Sequence, residues 1–250
     1  MEFLSNDMLG PAVAAGLIIL AGFTSLITAA FGAGGGLLLL VVMASILPMA
    51  VVIPVHGLVQ LGSNANRAVM TFRHIDYKLL LYFSLGGSFG ALLSSHLVML
   101  IPLEMMKVFI ALFVLYLLWL KPPSTAPSSH LVDGIYGLFT TFLSMFVGAS
   151  GPLVGSFLFS KGYDKLRFTA SFSSCLTFQH SVKAIVYTVV GFSFWQWLPL
   201  VIAMILSGTL GTWLGLRLLK KLPEQKFSFI FKVILTVLSI QLGWQFIASL

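Results

Sequence analysis

Long apolar segments, separated by short polar or glycine-rich breaks, run through almost the whole sequence. An α-helix needs about 20 residues to cross the hydrocarbon core of a bilayer, and most of the segments come close to that length. In chain order the predicted segments are Pro11–Phe31, Leu37–Val52, Pro54–Phe72, Leu79–Ile101, Leu103–Leu120, Val132–Val147, Leu153–Ser160, Phe168–Val190, Trp197–Leu219 and Phe227–Ile247. This pattern predicts an all-α, polytopic membrane protein with about ten transmembrane or partly re-entrant helices.

Glycine-rich breaks precede two of the short segments. The first break covers Gly32–Gly36 and the second covers Gly148–Pro152. Consecutive glycines interrupt a helix and let other backbone approach closely. The segments that follow the breaks are short for a span, which favours re-entrant hairpins. The sequence does not decide between such hairpins and full crossings.

The second half of the chain repeats the plan of the first. A shift of 116 residues superimposes the two glycine-rich breaks and aligns Asn64 with His180 and Arg67 with Lys183. Further along, a shift of 121 residues aligns a second set of pairs, namely Gly87 with Gly208, Gly90 with Gly211 and Pro102 with Pro223. Two constant offsets indicate a duplication. We predict a first membrane repeat at residues 1–121, a polar, proline-rich linker at 122–131 and a second repeat at 132–250.

Clusters of lysine and arginine predict the orientation of the chain. They are Arg73–Lys78, Lys121, Lys161–Arg167 and Arg217–Lys226. Loops rich in these residues face the cytoplasm. Threading the segments accordingly places every cluster and the linker on the cytoplasmic side and both termini outside. Each repeat then makes an odd number of crossings, so the second repeat is inverted relative to the first. The predicted location is the inner membrane.

Composition supports the membrane class and excludes several others. The chain is 58% hydrophobic and 8% charged, whereas soluble domains carry about 25% charged residues. The net charge of +7 arises from bases at the ends of apolar segments, so we expect a lipid bilayer and no nucleic acid as partner. One cysteine, Cys175, excludes an intrachain disulfide and a four-cysteine metal site. The first ten residues contain Glu2 and Asp7 in place of a basic signal-peptide stretch, which predicts a mature amino terminus.

Two apolar segments carry buried cations. Gln60, Asn64 and Arg67 lie on one helical face, since their spacings are four and three residues. Lys183 occupies the position that matches Arg67 in the second repeat. A charge at the centre of a bilayer costs about 2.5–3.5 kcal/mol on insertion scales, so two charges at matched positions indicate a shared function.

The distribution of acids indicates what the cations bind. All seven acids lie in loops or at segment ends, which leaves the two cations without a carboxylate inside a span. A bound anion would supply the missing charge, and helix amino termini at the glycine-rich breaks would add N–H donors. We predict a small anion, and no metal or cofactor. The predicted substrate-binding residues are Gly34, Gly35, Gly36, Gln60, Asn64, Arg67, Ser150, Gly151, Gln179, His180 and Lys183.

Several motifs together resemble the sulfite exporter TauE/SafE family of integral membrane anion transporters. They are Phe31-Gly-Ala-Gly-Gly-Gly-Leu37, the downstream Pro54, the span with Asn64 and Arg67, and Gly148-Ala-Ser-Gly-Pro152. The resemblance extends from about Pro11 to Ile247. It implies transport of a sulfur-containing anion, sulfite or an organosulfonate. Inverted repeats with interrupted helices are typical of secondary transporters, so the interpretation is export by alternating access.

Other functions stay open at this stage. An anion channel would use the same cations and the same breaks, and the transported anion could be another small organic or inorganic one. An intramembrane enzyme would need a nucleophile with a base or metal ligands at helical spacing, and neither pattern occurs, so no enzyme is predicted. Glycine faces on the fourth and ninth segments are compatible with a homodimer. Direction of transport, coupling ion and oligomeric state are not specified.

The selected side chains also have plainer explanations. Arg67 and Lys183 could each extend along its aliphatic stem to a membrane surface. Gln60 and Gln179 could bond neighbouring helices, and the glycine-rich breaks could serve only close packing.

The two histidines receive different interpretations. His180 is either a neutral core histidine or the proton-coupling residue, since it is the repeat-matched group that titrates near neutral pH. His56 has no counterpart histidine in the second repeat. It is interpreted as structural.

Overall fold

The computed structural model of the chain describes residues 9–31, 34–98, 100–119, 129–218, 236–241 and 243–248. Within these ranges the chain forms helices and short connections without a strand, which confirms the all-α membrane class. The helices are α1 (Pro11–Phe31), α2 (Gly35–Ile46), α3 (Met49–Met70), α4 (Tyr77–Val98), α5 (Leu103–Trp119), α6 (His130–Val147), α7 (Gly151–Ser160), α8 (Lys165–Val189) and α9 (Leu198–Leu218). Residues 236–241 and 243–247 are also helical. Most of the predicted linker and much of the tenth segment lie outside the described ranges.

The boundary between the second and third segments differs from the prediction. The sequence places it between Val52 and Pro54, whereas α2 ends at Ile46 and α3 begins at Met49. Pro48 precedes α3, and Pro54 lies inside it. A proline inside a membrane helix is tolerated where neighbouring groups satisfy the freed backbone. Both prolines lie in one unbroken apolar stretch, so hydropathy could not show which of them separates the helices.

The helices that follow the glycine-rich breaks are too short to cross a bilayer alone. At 1.5 Å per residue, the 12 residues of α2 and the 10 residues of α7 extend about 18 and 15 Å, against a core of about 30 Å. Gly34 and Gly148 flank them with φ angles of 106° and 86°, a region that glycine enters without steric cost. These lengths favour the partly re-entrant arrangement.

Apolar helices surround a more polar pair. Four helical stretches in the described part of the chain are long and apolar enough to span a membrane, namely Pro11–Phe31, Tyr77–Val98, His130–Val147 and Trp195–Leu218. Their outward faces expose large apolar side chains, such as Phe23, Phe89, Phe139 and Leu206. The polar helices α3 and α8 pack against each other, while α1 packs against α9 and α4 against α6. Polar side chains on α3 and α8 are thereby largely withdrawn from lipid.

The two outer helix pairs approach through glycine. Gly90 on α4 lies against the carbonyl of Leu138 on α6, and Gly211 on α9 lies against the carbonyl of Gly22 on α1. The offsets of 121 and 116 residues map the first contact onto the second. This correspondence supports the predicted duplication. It also means that the glycine faces of α4 and α9 pack inside the chain, so they do not offer the homodimer surface considered from the sequence.

Ion pairs connect the basic loops. Arg167 Nη2 lies 2.8 Å from Asp76 Oδ2 and Lys161 Nζ lies 2.6 Å from Asp133 Oδ1. The Tyr163 hydroxyl also donates to Asp76, at 2.7 Å. Partial burial raises the pKa of Asp76, but hydrogen bonds from Tyr163, the Leu79 N–H and Arg167 outweigh it and hold the pKa at about 2. The turn before α4 is therefore tied to the loop between α7 and α8.

Replacing the contact glycines should destabilise the protein. In Gly90→Ala and Gly211→Ala the new Cβ would overlap a carbonyl oxygen of the facing helix, and overpacking typically costs about 1–3 kcal/mol. Gly16→Ala is the control, because Gly16 lies on α1 with nothing within 4 Å of its Cβ position. It should be neutral or stabilising by up to about 1 kcal/mol. Thermal unfolding of the detergent-purified variants measures the difference, and equal stability of all three would contradict the packing.

Candidate functional site

A small cavity lies where the two glycine-rich breaks meet α3 and α8. Its volume is about 30 Å³, and a buried water needs about 10–15 Å³ by this measure, so it has room for about two waters. Seven of the predicted site residues line it, namely Gly34, Gly36, Gln60, Asn64, Ser150, Gly151 and His180. The structure thus brings together residues from both halves of the chain. Arg67, Lys183, Gln179 and Gly35 are not in its wall.

Two helices begin at the wall of this cavity. Helix α2 starts at Gly35, after Gly34, and α7 starts at Gly151, after Ser150. The first N–H groups of a helix have no partner within it, and the amino-terminal end carries positive partial charge. Pro152 has no N–H, so α7 brings fewer donors than α2. Two such ends at one cavity favour an anion.

The predicted cations are buried. Arg67 is 1% exposed and Lys183 is 0% exposed, so neither side chain extends to the surface as snorkelling would require. Arg67 Nη1 donates to Asn64 Oδ1 at 3.3 Å, while Arg67 Nε has no hydrogen-bond partner. Lys183 Nζ donates to the carbonyl of Gly148 at 2.7 Å. Each cation lies three residues, about one helical turn, beyond a cavity-lining residue.

Comparison with known proteins identifies the family. The model of the sulfite exporter TauE/SafE family matches residues 17–242. The chain belongs to the sulfite exporter TauE/SafE family. No curated protein and no solved structure matches the chain.

Membership in the TauE/SafE family sets the coarse function. It implies membrane transport of sulfur-containing anions such as sulfite, and members of the family are transporters rather than enzymes. The matched range includes both glycine-rich breaks, α3 and α8. All residues that line the cavity therefore lie within the TauE/SafE match, which confirms the resemblance seen in the motifs.

The two cations flank the cavity of this TauE/SafE protein. The aliphatic stem of Lys183 packs against Gly57, with Cδ 2.9 Å from the position of a Cβ there. Gly57 and Arg67 are ten residues apart on α3, which is about 15 Å along the helix. Arg67 therefore lies beyond Asn64 at one end, and Lys183 lies beyond His180 at the other. Their role as substrate ligands stays a prediction.

Gln179 positions a residue of the cavity wall. Its Oε1 accepts a hydrogen bond of 2.6 Å from Ser150 Oγ, and its Nε2 donates to Thr140 and Thr141 at 2.8 and 3.0 Å. The side chain therefore joins α8 to α6 and to the start of α7, and its amide is used in the scaffold. Gly35, the other predicted residue outside the wall, packs against the backbone of α1 at Thr24.

His56 is a cavity residue that the repeat argument set aside. It is fully buried and lines the cavity, with Nε2 2.8 Å from the carbonyl of Gly36. Its ring centroid lies 6.2 Å from that of His180. His56, Gln60 and Asn64 are spaced at four residues, so helical periodicity would have placed His56 on the polar face. Comparison of the two halves did not select His56, because the aligned position in the second half is Phe172.

Removing the Gln179 amide should destabilise the second half of the scaffold. Gln179→Ala removes the partner of the buried Ser150, Thr140 and Thr141 hydroxyls. Thr140 still donates to the carbonyl of Tyr136, whereas a buried hydroxyl left unsatisfied costs about 1–3 kcal/mol. Ser63→Ala is the matched control, since Ser63 aligns with Gln179 and makes one hydrogen bond, of 3.0 Å, to Ser25. It should cost less than Gln179→Ala, because only one buried hydroxyl, that of Ser25, loses its partner. Apparent melting temperatures in detergent compare the stabilities of the variants. A decrease in melting temperature for Gln179→Ala no larger than that for Ser63→Ala would argue against the positioning role.

Proposed function

We propose that the chain is a secondary transporter that exports a small sulfur-containing anion, sulfite or an organosulfonate, across the inner membrane. The cavity between the glycine-rich breaks is its substrate site, and access alternates between the two sides of the membrane. The observation that carries the proposal is a buried cavity at which two helices begin, flanked by two fully buried cations. The anion supplies the negative charge that this arrangement lacks.

The acids whose side chains the structure describes have partners other than these cations. Asp133 is paired with Lys161 and Asp76 with Arg167. Asp164 caps the start of α8 by accepting backbone hydrogen bonds from Leu166 and Arg167. An uncompensated buried charge is costly. A bound anion would compensate Arg67 and Lys183 without a protein carboxylate.

The size of the cavity favours a carrier over a channel. About 30 Å³ holds about two waters, whereas sulfite has four heavy atoms, so a wall must move before the ion can bind or pass. A channel would instead need a continuous open path. Carrier-mediated counterflow separates the two: external substrate should drive uphill exchange of labelled substrate in proteoliposomes, and flux that stays linear in the gradient would support the channel.

In an alternating-access cycle, the two cations would lie on opposite sides of the cavity and would contact the anion in different states. With the predicted topology, α3 runs towards the cytoplasm, so Arg67 lies on the cytoplasmic side of the cavity and Lys183 on the outer side. The anion would contact Arg67 when the cavity opens inward and Lys183 when it opens outward. His180, which lines the cavity beside Lys183, is the proposed proton-coupling residue.

Charge removal tests the anion site. Arg67→Gln and Lys183→Met should each weaken sulfite binding by about tenfold to a hundredfold, since a charge-assisted hydrogen bond contributes about 1.5–3 kcal/mol. Arg67→Lys should recover part of the loss, because it restores the charge without the bidentate fork. The control is Arg73→Gln, at an exposed cation six residues further on. Calorimetry on monodisperse protein gives the affinities. Wild-type affinity in both Arg67→Gln and Lys183→Met would contradict the proposal that these cations form the anion site.

Labelling tests the orientation. In a Cys175→Ala background, Ser193→Cys lies in the exposed turn before α9, and His74→Cys lies in the exposed turn before α4. We expect an impermeant maleimide to label position 193 in intact cells and position 74 only after permeabilisation. The reverse pattern would overturn the predicted cytoplasmic side of the basic loops.

A further inference from the structure

Three bases gather at one end of the cavity. His56 on α3 and His180 on α8 both line it, and their ring centroids are 6.2 Å apart. Both Lys183 Cδ and His180 Nδ1 lie within 4.0 Å of the Cβ position of Gly57, the residue that follows His56. All three side chains are buried. They form what we call the basic cluster.

No carboxylate of the described chain lines the cavity at this cluster. Lys183 is the cation whose stem packs beside Gly57, next to both histidines. Helices α1, α2 and α7 carry no titratable side chain. On α6 the titratable groups are His130, Asp133 and Tyr136, in its first two turns, whereas Lys183 reaches Gly148 beyond its last turn.

The remaining titratable groups on neighbouring helices lie elsewhere along them. Tyr187 on α8 donates its hydroxyl to the carbonyl of Met145, at 2.9 Å. Arg217 lies in the last turn of α9. The described titratable side chains of α4 and α5 are Tyr77, Lys78, Tyr82, His96, Lys107 and Tyr116, and none of them lines the cavity.

Hydrogen bonding assigns the proton on His56. A carbonyl oxygen can only accept, so the 2.8 Å contact with Gly36 makes Nε2 the donor. The 3.4 Å approach of Gln60 Nε2 to the same atom is then not a hydrogen bond. In the neutral ring Nδ1 is left as an acceptor, and it is buried without a partner. His180 Nδ1 is buried and unpartnered as well.

The positive charge of Lys183 makes protonation of the two histidine rings depend on whether an anion is bound. With the cavity empty, a second positive charge beside the Lys183 ammonium would be repelled. A bound anion offsets the ammonium and favours a proton on a neighbouring ring. Linkage is reciprocal, so a proton on the ring would in turn strengthen anion binding. On His56 it would also strengthen the bond from Nε2–H to Gly36, which would become charge-assisted and hold the start of α2 against α3.

We propose that His56 is a proton-binding residue of the transport site, and that each anion binds together with a proton that the basic cluster takes up, chiefly on His56. The proposal rests on the anion-transport function proposed above. It adds His56 to the site and assigns the basic cluster, rather than His180 alone, as the coupling element. An anion of single charge would then cross together with a compensating proton.

Calorimetry measures the proton directly. Sulfite is titrated into purified wild-type protein at one pH in buffers with different ionisation heats, and the slope of the observed heat gives the protons taken up per anion. Any proton gained or lost by sulfite itself is common to all variants. The difference in proton uptake between wild type and His56→Gln therefore measures the protons bound by the protein. We expect His56→Gln to take up fewer protons, by a large fraction of one per anion. His96→Gln, at an exposed histidine in the last turn of α4, should match wild type.

A second measurement does not depend on the variant folding. An alkanesulfonate stays ionised across the neutral range, so any proton that moves with it is carried by the protein. In wild-type proteoliposomes with a pH-sensitive dye inside, an outward sulfonate or sulfite gradient should carry protons out of the lumen. Sulfonate flux without proton movement, or wild-type proton uptake in His56→Gln, would overturn the proposal while leaving the anion site intact. Absence of anion binding by wild type would instead overturn the proposed function, and this inference with it.

Discussion

The structure depends on how interrupted backbone is kept out of lipid. Unpaired N–H and C=O groups have no partner in a hydrocarbon core, so irregular backbone is tolerated there only where it is buried in protein or lines a cavity. The breaks at Gly34 and Gly148 meet this condition. The break residues Gly34, Gly36 and Ser150 line a cavity against α3 and α8, and Lys183 donates to the Gly148 carbonyl. The polar character of α3 and α8 follows from this requirement.

Close packing of the outer helices shields the polar centre from lipid. Where α4 meets α6 and α1 meets α9, glycine lets backbone touch backbone, so large apolar side chains point outward to lipid. The inner faces are left for hydroxyl and amide groups. The Ser25–Ser63 bond in one half has its counterpart at the aligned positions Thr141 and Gln179 in the other. The same scaffold contact is thus made with different chemistry in each half.

Much of the fold was predictable because hydropathy and glycine spacing act locally. Helix α1 matches its predicted bounds. Helices α2 and α7 each begin two residues before the predicted Leu37 and Leu153, so their starts keep the offset of 116 residues. The α2–α3 boundary was not predictable, since Pro48 and Pro54 lie in one apolar stretch. The positions of the cations needed the three-dimensional crossing of α3 and α8. Spacing alone places Arg67 and Lys183 on polar faces, but not at opposite ends of a cavity.

Positions that the two offsets align differ in the kind of bonding they make. At the basic loops, Asp76, Asp133, Tyr163 and Arg167 take part in hydrogen bonds and ion pairs. The offsets map these positions onto Trp197, Leu17, Leu47 and Val51, which are buried in a single apolar cluster. The Arg167–Asp76 pair is partly exposed and weakens as salt rises, whereas the Lys161–Asp133 pair is largely buried and is screened much less. Apolar burial does not depend on charge and strengthens with excluded salts such as sulfate. Separation of the packed helices is therefore opposed by electrostatic attraction at the basic loops and by apolar burial at the aligned positions.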